Sequence, residues 1–233
     1  MKKKRVLLKL SGELIGNFNN DIIPNKFLSN VSKNISILLE HDIETCIVVG
    51  GGNIIRQNKD VGNYNLEVDN IGMVSTVLNA LYLKCVFSKE KISSRVFSPV
   101  EIANLSQKYV LENVLDTLSK HIVPIFAFGT GIPFVSTDTT SVIRALELKC
   151  DVLLKATKVS GIFSTDPKKD SNTKKFNRIS YQEVIEKNLL IMDMPAIIIS
   201  KNHNLQIKIF QLSENNKIID IINNKGSFSV IEN

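Results

Sequence analysis

Seven short apolar runs, rich in β-branched residues, recur along the chain with amphipathic segments between them, and this alternation constrains the fold more than any other feature. The runs cover residues 6–10, 45–49, 95–98, 122–128, 151–154, 206–210 and 228–231, and each has the length and composition of a strand. Between the first two, Phe27, Leu28, Val31, Ile35, Leu38 and Leu39 fall on one face at spacings of three and four, the period of a helix packed on a sheet. Similar helical patterns run over 73–89, 110–118 and 142–148. Strands that alternate with helices form βαβ units joined by right-handed crossovers. The expected fold is therefore α/β, a three-layer αβα sandwich around a mainly parallel sheet. Unbroken apolar stretches such as Ile47-Val48-Val49 and Val152-Leu153-Leu154 suit its middle, where both faces are covered. Residues 164–177 carry Pro167 with many Lys, Asp, Ser and Asn, and read as a loop.

Composition excludes several classes. At 233 residues with 43% hydrophobic and 22% charged, the chain matches an ordinary soluble globular protein of one large domain or two small ones. The net charge of +6 suits an anionic partner, either nucleic acid or a small molecule. The absence of Trp and an aromatic content of 6% disfavour base-stacking platforms, so no nucleic-acid partner is expected. Cys46, Cys85 and Cys150 are odd in number and far apart in sequence, which offers neither a disulfide framework nor a Cys-x-x-Cys metal site and fits a reducing cytosol. The longest uncharged run, 122–137, is broken by Pro124, Gly129, Gly131 and Pro133. It is too short for a membrane span, no signal-peptide core precedes it, and a cytoplasmic location with no membrane partner is expected.

In open parallel sheets ligands gather beyond the carboxyl ends of the strands. Here those positions are informative. Lys9-Leu10-Ser11-Gly12-Glu13 follows the first strand, Gly50-Gly51-Gly52-Asn53 and Arg56 follow the second, and Gly129-Thr130-Gly131-Ile132-Pro133, with Thr137 and Asp138, follow the fourth. Glycines let a phosphate approach backbone N–H groups, and a lysine or arginine beside them supplies charge. Each loop alone is as well explained by turn chemistry; their coincidence favours phosphate binding. No Gly-x-x-x-x-Gly-Lys-Ser/Thr is present, Phe134 stands where a dinucleotide fingerprint needs its third glycine, and His41, His121 and His203 have no ligand spacing. A P-loop enzyme, a dinucleotide binder and a histidine-based metal site are thereby disfavoured.

These loops, together with Asp69, Gly72-Met73, the segment Asp-Val-Leu-Leu-Lys-Ala-Thr-Lys-Val at 151–159, Gly161-Ile162-Phe163, Asp166-Pro167 and Met192-Asp193-Met194-Pro195-Ala196, resemble the bacterial UMP kinases of the amino acid kinase superfamily. The resemblance runs over residues 5–232 and implies one amino acid kinase domain over 1–233, its N-terminal part mainly for UMP and its C-terminal part mainly for ATP. It implies transfer of the ATP γ-phosphoryl to UMP with Mg2+, no protein metal site, and a homohexamer. Lys9, Asp193 and Arg56 would be catalytic, with Asp193 orienting Lys9; the position of Asp193 also permits a helix N-cap. ATP would meet Lys9, Leu10, Ser11, Gly12, Gly52, Arg56, Thr157, Phe163 and Asp166. UMP would meet Gly51, Asp69, Thr130, Gly131, Ile132, Pro133, Phe134, Val135, Ser136 and Thr137. Phe163 is equally readable as core, and Lys155 and Lys158 either add charge near the phosphates or divide into one buried stem and one solvated head.

Four departures from the family pattern stand out. Ser160 replaces an acidic residue or asparagine, Gln57 a glycine, and Pro195 a common alanine, while 15–23 lacks the glycine-rich sequence that accompanies GTP activation in many relatives. Two alternatives remain open at this point: an amino acid kinase acting on carbamate or an acyl carboxylate, and a nucleotide-binding homologue without turnover.

Overall fold

A computed structural model describes residues 3–16, 26–55, 66–165, 173–213 and 216–233. The strands are β1 (Arg5–Leu10), β2 (Glu44–Val49), β3 (Ser94–Ser98), β4 (Gln107–Lys108), β5 (Val123–Phe126), β6 (Val152–Ala156), β7 (Ile162–Phe163), β8 (Lys175–Phe176), β9 (Arg178–Ser180), β10 (Ile207–Phe210) and β11 (Phe228–Glu232). The helices are α1 (Gly12–Ile15), α2 (Lys26–Glu40), α3 (Leu66–Lys89), α4 (Leu111–Ser119), α5 (Thr137–Glu147), α6 (Tyr181–Glu186), α7 (Met194–Asn202) and α8 (Ile218–Ile222). Nine strands form one sheet in the order β4-β3-β5-β2-β1-β6-β10-β11-β9, and β7 pairs with β8 as a separate hairpin. Among the described residues only the β10–β11 pairing in the large sheet is antiparallel. The expected α/β sandwich is what the chain forms.

β1 lies at the centre between β2 and β6, and its apolar run is buried because both faces are covered. Alternation divides the core. Val6, Leu8 and Leu10 pack with α2, α3 and α8 on one face, while Leu7, Val48 and Leu153 pack with α4, α5 and α7 on the other. Lys9 shares the parity of Leu7 and so emerges on the second face, under α5 and α7.

Several boundaries move for identifiable reasons. The fourth strand stops at Phe126 because Phe128 turns into the left-handed region at φ 63°. The helix expected over 142–148 begins at Thr137, where the Ser136 hydroxyl accepts from the Asp138 and Thr139 amides as an N-cap. The helix expected from 73 starts at Leu66, with Glu67 and Asp69 in its first turn. By length and composition α3 could cross a membrane, but its buried Ser75, Thr76, Val77 and Asn79 fasten it onto the fold. Within the stretch read as a loop, Lys175–Phe176 is a strand. Cys46 and Cys150, distant in sequence, bring their Sγ atoms to 4.0 Å.

Leu154 on β6 is fully buried. Leu154→Ala is expected to lower the unfolding free energy by about 2–5 kcal/mol, the range for emptying a leucine site in a core. Urea unfolding checks this, and an unchanged midpoint would remove Leu154 from the core as described.

Candidate active site

The register of the central sheet sets the chemistry. Lys9 is opposite Lys155 in the β1–β6 pairing, so two ammonium groups project side by side from neighbouring strands on the same face. Like charges so placed repel, and burial raises the cost, since Lys9 and Lys155 are each only 6% exposed. Asp138, in the first turn of α5, resolves the conflict. One carboxylate oxygen lies 2.6 Å from Lys9 Nζ and the other 2.6 Å from Lys155 Nζ. Lys155 also donates to the Ile191 carbonyl at 2.5 Å. Burial would push the Asp138 carboxyl up, but the two lysines outweigh it and hold it well below the usual carboxylate range. Burial pulls the Lys155 ammonium down, opposed by Asp138.

Asp193 occupies the N-cap position of α7, yet its carboxylate makes no capping bond. It accepts from Ser136 Oγ at 2.7 Å and Thr139 Oγ1 at 2.6 Å, which ties the start of α7 to the start of α5. The ion pair of Lys9 is made with Asp138, and Asp193 acts on the helix turn that carries Asp138. The sequence places Asp138 in the loop after the fourth strand run without giving it a role. The signal for its role is an acidic residue in the first turn of a helix that follows a Ser N-cap, in a chain with two lysines near strand ends.

Two clefts flank this cluster. The first is lined by Gly51, Asp69, Ile132, Pro133, Phe134, Val135, Ser136 and Thr137, all expected at the acceptor. Gly52, expected on the ATP side, also lines it, while Thr130 and Gly131 belong to the turn leading into its wall. Helix α3 straps this wall in place: Thr76 Oγ1 accepts from the Phe128 amide at 2.6 Å and Asp69 Oδ2 from the Phe134 amide at 2.7 Å. The second cleft is lined by Lys155, Thr157, Val159, Gly161, Phe163 and residues 187–191. Phe163 is half-buried and faces this cleft. Lys155 belongs to the second cleft and Thr137, next to Asp138, to the first, so the charged cluster is at their junction.

The turn after β1 packs onto the glycine loop. A Cβ on Gly12 would come within 2.7 Å of Asn53 Oδ1 and the Gly52 nitrogen, and one on Gly51 within 2.7 Å of the Gly72 carbonyl. Leu10 is fully buried in the core, so only its backbone can meet a ligand. Lys158 is 52% exposed and pairs with Glu13 at 2.9 Å, whereas Lys155 is buried, the divided arrangement considered above. Ser160 follows in the same turn. Pro195 stands in the first turn of α7, where a missing N–H costs nothing. Arg56, Gln57, Asp166 and residues 17–23 lie outside the described residues. Among the described residues no group of three or more His, Cys, Asp or Glu could hold a metal ion.

Residues 4–211 match the amino acid kinase family, and the chain belongs to that family. Within it, the curated uridylate kinases of Rickettsia typhi and Rickettsia bellii are each 40% identical over the whole chain, covering 96% and 98% of those proteins. The crystal structure of UMP kinase from Bacillus anthracis superposes with a TM-score of 0.90 at 31% identity, covering 98% of this chain and 96% of that one. UMP kinase from Ureaplasma parvum gives 0.89 at 27% identity with both chains fully covered.

Asp138→Asn leaves two buried cations without their counter-charge and is expected to cost about 3–5 kcal/mol of stability at neutral pH. Because the folded carboxyl sits below its ordinary value of 3.8, the stability it contributes is present above that value and is lost as pH falls towards the folded value. The gap between wild type and variant should therefore narrow below that pH. Denaturant unfolding over a pH series measures it; a gap that stays constant into acid would contradict the ion-pair assignment.

Proposed function

We propose that this chain transfers the γ-phosphoryl group of ATP to the phosphate of UMP, giving UDP and ADP. The observation that carries the proposal is the Lys9–Asp138–Lys155 cluster held at the junction of two clefts, one walled by the glycine loop and Asp69, the other by Thr157 and Phe163. The named activity of the relatives supports the choice of nucleotide. In this reading a single domain spans 1–233, with acceptor residues mainly in its N-terminal part and donor residues mainly in its C-terminal part. Arg56 and Asp166 keep their assignment to ATP by family likeness. Gly52, from its place in the acceptor cleft wall, serves the junction.

The acceptor oxygen of UMP is already anionic at neutral pH, so the reaction needs no general base. It needs two polyanions brought together with their charge neutralised. Lys9, at the strand end beside the Ser11-Gly12 turn, supplies a cation to the transferring phosphoryl, and Asp138 fixes where that cation points. Asp193 holds the Ser136–Thr139 turn, and with it Asp138, in position. Asp69 keeps the 128–136 loop against α3 and presents a carboxylate to the ribose hydroxyls. Mg2+ would be carried by the nucleotide phosphates, since Asp138 is engaged by two lysines and Asp193 by two hydroxyls; magnesium commonly binds through substrate phosphates and water. Bound, it would neutralise phosphate charge.

A homohexamer in the cytoplasm completes the proposal. Ile71, Val74 and Leu78 form an exposed apolar row along α3, each near 50% exposed, which supports a covered face in an assembly.

A coupled assay of every nucleoside monophosphate with ATP and magnesium tests the reading. UMP-dependent ADP release is expected, whereas turnover with carbamate or an acyl carboxylate instead would contradict it. Lys9→Met is expected to lower kcat by about 10²–10³, the scale for losing one preorganised anion partner, with the fold retained. Wild-type turnover in that variant would remove Lys9 from the reaction. Asp69→Ala should act chiefly on the Michaelis constant for UMP, and an unchanged value would take Asp69 out of the acceptor site.

A further inference from the structure

Two asparagine side chains, neither of which lines a cleft, hold the glycine loop. Asn79, midway along α3, has no exposed surface. Its Nδ2 donates to the Gly50 carbonyl at 2.6 Å and to Asn53 Oδ1 at 2.8 Å. Asn53 Nδ2 donates back to Asn79 Oδ1 at 3.1 Å and to the Gly16 carbonyl at 2.7 Å. Both amides thus use both of their N–H groups. Three segments are joined: the start of the glycine loop, the end of α1, and the helix that bears Asp69.

We propose that Asn79 is a positioning residue for phosphoryl transfer, aiming the Gly51 N–H at the phosphate by fixing the peptide unit to which it belongs. Carbonyl and N–H point in opposite directions across a trans peptide, and no described peptide bond is cis. With the Gly50 carbonyl drawn to Asn79 on one side, the Gly51 amide is turned to the other, where Gly51 lines the acceptor cleft. The loop has little room to relax. Gly51 packs directly on the Gly72 carbonyl, and Gly12 packs on Gly50, Gly52 and Asn53. An amide set in advance towards developing negative charge lowers the barrier without reorganising during reaction. Asn79 reaches the reacting atoms only through the backbone of Gly50 and Gly51.

The inference rests on the phosphotransferase reading, and the experiment separates the two. Steady-state kinetics of wild type, Asn79→Ala and Asn53→Ala are measured with UMP and ATP well below each protein's unfolding midpoint, with circular dichroism recording the folded fraction. Asn79→Ala is expected to lower kcat by about 10- to 100-fold, the scale for misplacing a reacting group by an ångström or less, with the Michaelis constant for UMP nearly unchanged. Asn53→Ala keeps the bond to Gly50 and should lose less. A purely structural role predicts a lower unfolding midpoint with wild-type kcat per folded molecule, and that result overturns the proposal. If Asn79→Ala does not fold, the near-isosteric Asn79→Leu, which also removes the bond to the Gly50 carbonyl, decides: a fall in kcat at constant Michaelis constant supports the proposal, and wild-type kcat overturns it. Wild-type protein that releases no ADP with UMP defeats the phosphotransferase reading itself, and this inference with it.

Discussion

Two lysines stand side by side at the middle of a buried sheet, and the arrangement of the site depends on the single carboxylate between them. Without Asp138, the β1–β6 register would place Lys9 and Lys155 in repulsion within a poorly solvated layer. With it, the trio carries one net positive charge, and each ammonium is held in a defined place. A site that must receive two polyanions gains from this. The cation is oriented before substrate arrives, and its position follows from strand register and not from a flexible loop.

The supports of this cluster form a chain of contacts. Asp193 at the start of α7 fixes Ser136 and Thr139 at the start of α5; that turn presents Asp138; Asp138 orients Lys9. At the first cleft, α3 fixes the 128–134 wall through Thr76 and Asp69 and the glycine loop through Asn79. The helix that looks most like a simple apolar packing element is therefore the one that sets the shape of the first cleft.

Much of this was legible in the residues. Alternating apolar runs specified the parallel sheet, because a strand buried on both faces admits few polar residues. The glycine loops were visible because close backbone approach to an anion leaves little choice of residue type. What could not be read was register. Lys9 and Lys155 are far apart in the chain and meet through the pairing of β1 with β6, and the helix capped at Ser136 packs against β1 and brings Asp138 to both. Family likeness gave Asp193 the part of orienting Lys9, and the ion pair of Lys9 itself is made with Asp138. The part played by Asn79, at the end of a stretch from Asp69 that carries the family likeness, was unreadable for a similar reason: an asparagine in an apolar helix gains a role only when Asn53 and the Gly50 carbonyl are placed beside it.

The most direct measurement is a crystal structure with UMP and a non-hydrolysable ATP analogue bound together. The account predicts Lys9 Nζ within hydrogen-bonding distance of the terminal donor phosphate while Asp138 still bridges it to Lys155, with the Gly51 amide facing the UMP phosphate. Phosphates bound away from Lys9 and the glycine loop, with the Lys9–Asp138–Lys155 cluster untouched by either nucleotide, would contradict it.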